Sequence, residues 1–201
     1  LQTLWGFVVI VLTAAVVENA VFARGLGIGN LADMPRDYKE LLDYGVLVTA
    51  LTCISGALSW LGEYALHRIV DPAVYRSHVK NPVFILSIFA AYLIVRKGLA
   101  VFWPGRFQRS EKNLAVSAFN GAVLGSILLA SSQRYNLSQT LFYCLGSGAG
   151  FCVALLLIFS GRERMEISRV PRAFKGQPIL LIYIGILSLA IYGLIGHQLP
   201  T

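Results

Sequence analysis

Glu18-Asn19-Ala20-Val21-Phe22-Ala23-Arg24-Gly25-Leu26-Gly27-Ile28-Gly29 lies near the start of the chain, and Asn120-Gly121-Ala122-Val123-Leu124-Gly125 lies near the start of its second half. Each puts a polar residue and closely spaced glycines inside an otherwise apolar run. Backbone that leaves the helix at membrane depth exposes amide and carbonyl groups, at several kcal/mol each when unpaired, so it persists only where protein buries it or where it lines a site. Two such interruptions at corresponding places point to an inverted repeat with a site between its halves.

The rest of the sequence supplies the membrane around these breaks. Of 201 residues, 56% are hydrophobic and only 13% charged, with a mean hydropathy of +0.67, which is too apolar for a soluble domain of this size. Six stretches approach the roughly 20 residues that cross the hydrocarbon as a helix: about 3–23, 44–66, 82–102, 113–132, 137–160 and 177–197. The first is too long and, at Glu18-Asn19, too polar for a cleaved signal peptide. The expected fold is therefore an all-α integral membrane protein in which six transmembrane helices form two inverted three-helix repeats with broken first helices. Residues 1–201 read as a single membrane domain, with halves of about 1–103 and 104–201 that meet at Trp103-Pro104-Gly105.

Charge sets the expected orientation. Arg24, Arg36, Lys39, Arg96, Lys97, Arg106, Arg109, Lys112, Arg162, Arg164, Arg169, Arg172 and Lys175 fall in loops one, three and five, whereas the other side holds only Arg68, Arg76, Lys80 and Arg134. Basic residues near span ends stay in the cytoplasm, so both termini are expected to face outward from a bacterial-type inner (cytoplasmic) membrane. The net charge of +7 then reflects topology and attraction to anionic lipid. No pattern of basic and stacking aromatic residues argues for nucleic acid.

Among candidate functional residues, Glu18 is an acidic residue well inside a predicted span. Such a carboxylate is costly and faces a partner or a water-filled cavity, so it reads either as part of an ion or proton path or as a helix-packing residue bonded to a neighbouring span. Arg24 follows it by six residues, about 240° around a regular helix, so pairing needs the glycine break between spans or a different Arg. Asn19 and Asn120 each offer an acceptor and donors to freed backbone. Gly25, Gly27, Gly29, Gly121 and Gly125 complete the two broken-helix segments, serving a site or close packing, while Gly146 and Gly150 read as packing glycines. Loop one, with Pro35 and mixed charges, is read as a solvated connector or a short surface helix. His67 and His78 have no carboxylate or cysteine at metal-ligand spacing. Cys53, Cys144 and Cys152 lie in apolar spans and read as small buried hydrophobes. The glycines of Gly25-Leu26-Gly27-Ile28-Gly29 lack the strand context of a dinucleotide fingerprint, and no catalytic site is expected on this chain.

At these residues the chain resembles the Rnf/Nqr family of membrane subunits, nearest to the A-type subunit of Rnf and the E-type subunit of Nqr. The resemblance rests on Val17-Glu18-Asn19 through Gly25-Leu26-Gly27, on Asn120 to Gly125, and on Tyr135-Asn136-Leu137 through Tyr143 to Gly146 and Gly150. It extends along a tail that runs from Arg162-Glu163-Arg164 through Val170-Pro171, Phe174-Lys175-Gly176 and Leu187-Ser188-Leu189 to Gly193. It implies a membrane subunit of an ion-translocating NADH:quinone or ferredoxin:NAD oxidoreductase-like complex. A sister six-helix subunit of opposite topology is the implied partner, with flavin and iron–sulfur groups on other subunits. In the family, one cysteine follows the first Asn by ten residues and another directly follows the second, and these help to hold an iron–sulfur cluster. Here those positions are Gly29 and Gly121, so no cofactor and no metal is expected on this chain. The alternative is a transporter or channel component that moves an ion or small solute on the same scaffold.

Overall fold

A computed structural model describes residues 2–29, 37–68, 79–167 and 171–195. Its described elements are helical. They are α1 (Gln2–Leu12), continued by a π turn at Thr13–Val17, α2 (Tyr38–Leu66), α3 (Lys80–Phe102), α4 (Pro104–Ala118), α5 (Gly121–Ser132), α6 (Leu137–Ile167), a short 3-10 turn at Arg172–Phe174, and α7 (Gln177–Ile195). Among the described residues, five helical stretches are long and apolar enough to cross a membrane: Tyr38–Leu66, Lys80–Phe102, Asn113–Ser132, Leu137–Met165 and Gln177–Ile195. A shorter apolar helix covers Leu4–Val17.

Side-chain contacts fix the directions of the helices. Phe7 stacks on Phe142 with ring centroids 4.4 Å apart, and a Cβ added at Gly146 would lie 2.5 Å from the Val11 carbonyl oxygen, so α1 and α6 run parallel from one face, here called the N-terminal face. Antiparallel α2 meets α6 through small residues. Cβ atoms added at Gly45 and Gly56 would each lie 2.6 Å from a sulfur, of Cys152 and Cys144 respectively, and one at Gly148 would lie 2.6 Å from Thr49. Each thiol therefore seats in a glycine notch, because without a hydrophobic driving force between helices in lipid, contact depends on close backbone approach. This agrees with the reading of these two cysteines as small packing groups, and of Gly146 and Gly150 as packing glycines.

Two helices begin earlier than the hydropathy suggests. The second span opens at Tyr38 rather than near residue 44, and the connector after Trp103 is the first part of α4 rather than a loop. Both extensions carry charges that lower hydropathy without opposing helix, and Pro104 occupies the first turn of α4, where its missing N–H costs nothing. Arg96 and Glu111 pair at 3.5 Å across the turn, but both are about half exposed and contribute little. Pro35 and His78 lie outside the described residues; His67 caps the end of α2.

The main apolar core gathers around the interruptions. Phe22 and Val21 from the first, Val123 from the second, Tyr44 and Val48 of α2, Phe84 of α3, and Phe151 and Leu155 of α6 are buried together. Helix α7 and most of α3 lie at the periphery and present large apolar side chains such as Leu86, Leu181, Ile186 and Leu189 outward. In lipid this requires no further cover.

Candidate functional site: two helix breaks in contact

Helix α1 and its π turn end in a break at Glu18. The widened turn closes when Glu18 N–H donates to Thr13 O at 2.8 Å, and a single π turn of this kind often marks a functional segment. Asn19 then takes over. Its Oδ1 accepts from Val21 N at 3.0 Å and Phe22 N at 3.1 Å, while Nδ2 donates to Ala15 O at 2.8 Å and Gly150 O at 3.0 Å. One buried side chain thus caps a new helical turn and ties it to the helix it left and to α6. That turn ends at Gly25, whose φ of +66° reverses the chain so that Leu26 N–H reaches Ala20 O at 2.7 Å. Gly27 is also left-handed at +82°, a conformation that β-carbon-bearing residues avoid.

Asn120 repeats the device in the fourth crossing. Helix α4 ends at Ala118, Asn120 is extended, and its Oδ1 accepts from Ala122 N at 2.8 Å to start α5. Its Nδ2 donates to the Tyr44 hydroxyl at 2.7 Å. Asn120 is 1% exposed and Asn19 4%, so neither amide has water as a substitute partner. Tyr44→Phe leaves the Asn120 amide short of its acceptor. We expect a loss of about 1 kcal/mol, read as a lowered thermal midpoint of the detergent-purified protein.

The two breaks touch. A Cβ added at Gly27 would lie 2.8 Å from Asn120 Oδ1 and 2.8 Å from the Phe151 ring, and one at Gly121 would lie 3.5 Å from Gly27 N. Leu26 packs where Gly125 has no side chain. Of the residues named from the sequence, Gly27, Asn120, Gly121 and Gly125 therefore come together, with Gly25 shaping the approach, while Asn19 holds the first break against Gly150 of α6. Gly29 stands apart, exposed, and a Cβ there would meet nothing within 4 Å.

Glu18 is bonded to Tyr143, whose hydroxyl donates to its Oε2 at 2.6 Å. Tyr143 is 1% exposed and its ring lies 5.7 Å from that of Tyr135, in the connector at the N-terminal face. Burial, and then the nearby Glu18 carboxylate, hold the Tyr135 phenol above its ordinary pKa. Tyr135 lines a cavity of about 510 Å3 at that face with Ser131, Thr140 and Glu63, and Ser131 donates to Glu63 at 2.8 Å. On its other side Glu18 lines a second cavity, of about 960 Å3, between the broken end of α1 and α7, together with Thr13, Arg24, Ser188 and Tyr192. The break brings Arg24 into the cavity that Glu18 lines, which a regular helix would not do. Tyr143, Tyr44 and Gly150 were not singled out as site residues from the sequence. Their partners lie 76 to 131 residues away, and a buried Tyr or Gly in an apolar span carries no local signal.

Neither glycine at the positions implied for cluster ligation can supply a thiolate. Cys144 and Cys152 are turned into the glycine notches of α2, and Cys53 belongs to α2 itself, away from Gly29 and Gly121 in sequence. No group of three or more His, Cys, Asp or Glu able to hold a metal occurs among the described residues.

Multi-pass helices around two capped and touching breaks define an integral membrane protein of the broken-helix class. The chain belongs to the Rnf-Nqr family: the family described as "Rnf-Nqr subunit, membrane protein" matches residues 7–197. It is 32% identical over 190 residues to the A-type subunit of the Na(+)-translocating ferredoxin:NAD(+) oxidoreductase complex of Acetobacterium woodii, covering 94% of this chain and 97% of that one. It is 32% identical over 187 residues to the A-type subunit of the ion-translocating oxidoreductase complex of Syntrophotalea carbinolica, covering 93% and 95%. Identity is 26% over 190 residues to the A-type subunit of the proton-translocating ferredoxin:NAD(+) oxidoreductase complex of Clostridium ljungdahlii, covering 94% and 96%.

Proposed function

We propose that this chain is the A-type membrane subunit of an ion-translocating electron-transport complex and that it works without an iron–sulfur cluster of its own. Family membership and near full-length similarity to the A-type subunits of such complexes support the first part. The observation that carries the second is glycine at both positions 29 and 121 within an otherwise complete pair of capped breaks. Electrons that cross this region of the complex then do so on a carrier held by other subunits, with flavin and iron–sulfur groups placed there. The two halves, about 1–103 and 104–201, act as inverted repeats, with both termini outward in the inner membrane. A sister six-helix subunit of opposite topology closes over the exposed side of Gly29.

Glu18, Asn19, Gly25, Gly27, Gly29, Asn120, Gly121 and Gly125 form the broken-helix site of this subunit. Asn19 and Asn120 supply its fixed polar groups, because capping consumes their oxygen atoms and holds the local backbone still. Purification of the tagged protein from its native membrane in mild detergent, with identification of every co-purifying chain, tests the assignment. Redox-cofactor-bearing partners and a second six-span subunit are the expected result. A colourless preparation without redox partners would replace this reading with a transporter or channel component.

A further inference from the structure

Glu18 and Arg24 share a cavity although their spacing of six residues would place them on opposing sides of a regular helix. The π turn and the departure from helix at Glu18-Asn19, held by the Asn19 cap, together cause this, since both precede Arg24. Glu18 uses one oxygen on Tyr143, and the cavity it shares with Arg24 also presents Thr13, Ser188 and Tyr192. A carboxylate at this depth is stable only with compensating charge or hydrogen bonds. Tyr143 provides one bond, and Arg24, whose guanidinium stands beyond ion-pair distance of the carboxylate, brings to the same cavity a positive charge that cannot lose its proton.

We propose that Glu18 is an exchangeable monovalent-cation site in which Arg24 is the tethered counter-charge, moving onto the carboxylate when a bound proton or Na+ leaves, and Tyr143 is the positioning residue. The proposal rests on the reading of this chain as part of an ion-translocating complex and names the residue in it that meets the ion. A tethered cation returns the site to neutrality after the mobile one leaves, so the carboxylate need not stand uncompensated at any stage. The three side chains come from both ends of the break and from α6, so the cation site exists only while the break is folded.

Reaction with the apolar reagent dicyclohexylcarbodiimide tests this, because it modifies a protonated carboxyl group in the membrane. Native membranes holding the assembled complex are treated at one fixed pH, with and without Na+, and the peptide containing Glu18 is quantified by mass spectrometry. Glu18 is expected to be modified, and Arg24→Gln to be modified about tenfold faster because the competing charge is gone. Arg24→Lys restores the slow rate. Tyr143→Phe, which keeps the ring and the packing, also speeds modification. Slowing by Na+ identifies Na+ as the cation, and indifference to Na+ identifies the proton. An unmodified Glu18, or the same rate in wild type, Arg24→Gln and Arg24→Lys, overturns the proposal. The labelling does not depend on turnover. Failure here with redox partners still bound refutes the cation site alone, whereas their absence refutes the assignment to an electron-transport complex.

Discussion

Gly150→Ala is expected to remove most of the folded protein from the membrane. The added methyl would fall on the Ala15 carbonyl oxygen and lie 2.8 Å from Ala15 Cα and 2.9 Å from Asn19 Nδ2, so it meets backbone rather than a side chain that can turn away. Helices α1 and α6 must then separate. Overpacking against a rigid neighbour costs about 1–3 kcal/mol. The separation also breaks the Asn19 to Gly150 hydrogen bond inside a buried network, at about another 1–3 kcal/mol. A total of about 3 kcal/mol exceeds what most membrane helix contacts restore, and it is read as loss of assembled complex and a lower thermal midpoint in detergent. Gly6→Ala on α1 is the control. Nothing lies within 4 Å of a Cβ there, so it is expected to be neutral or slightly stabilising through helix propensity.

Asn19→Leu is expected to collapse the first break while leaving the spans themselves apolar enough to insert. It removes an acceptor shared by two amides and a donor shared by two carbonyls, all at a residue 4% exposed. Leucine is close in volume, so packing alone does not set the cost. The unpaired amides of Val21 and Phe22 and the carbonyl of Gly150 do, at about 4 kcal/mol together. Asn19→Ser keeps one short acceptor and falls between the two. Limited proteolysis after Arg24 in purified complex reads the difference: rapid cleavage in the leucine variant, intermediate in the serine variant, slow in the wild type. Equal protection in all three would mean that Asn19 does not hold the break.

The spans were readable because about twenty apolar residues in a row have few alternatives. Their ends were less so: Tyr38–Asp43 and Pro104–Lys112 are helical, but their charges resemble those of a connector. The asparagines announced themselves as polar residues placed before glycine-rich turns, and the structure uses both as caps. The meeting of the breaks was not legible, since no local rule places Gly27 against Asn120. Nor was the sharing of one cavity by Glu18 and Arg24, because helical periodicity fails at the residue where the helix stops. Tyr143 shows the general limit. It falls in a stretch that carries the family resemblance, but nothing local marks it as the partner of Glu18 until α1 lies beside α6 and the two come within 2.6 Å.

This protein is proposed to take part in an electron-transport complex without contributing to a cluster. Iron and acid-labile sulfide per purified complex, set against the clusters that cysteines of the co-purifying chains can hold unaided, measure it directly. We predict that the partner chains account for all of the iron. Iron in excess of that number, with sulfur ligation by X-ray absorption and retained when the complex is stripped to its membrane subunits, would mean that a cluster is held here after all.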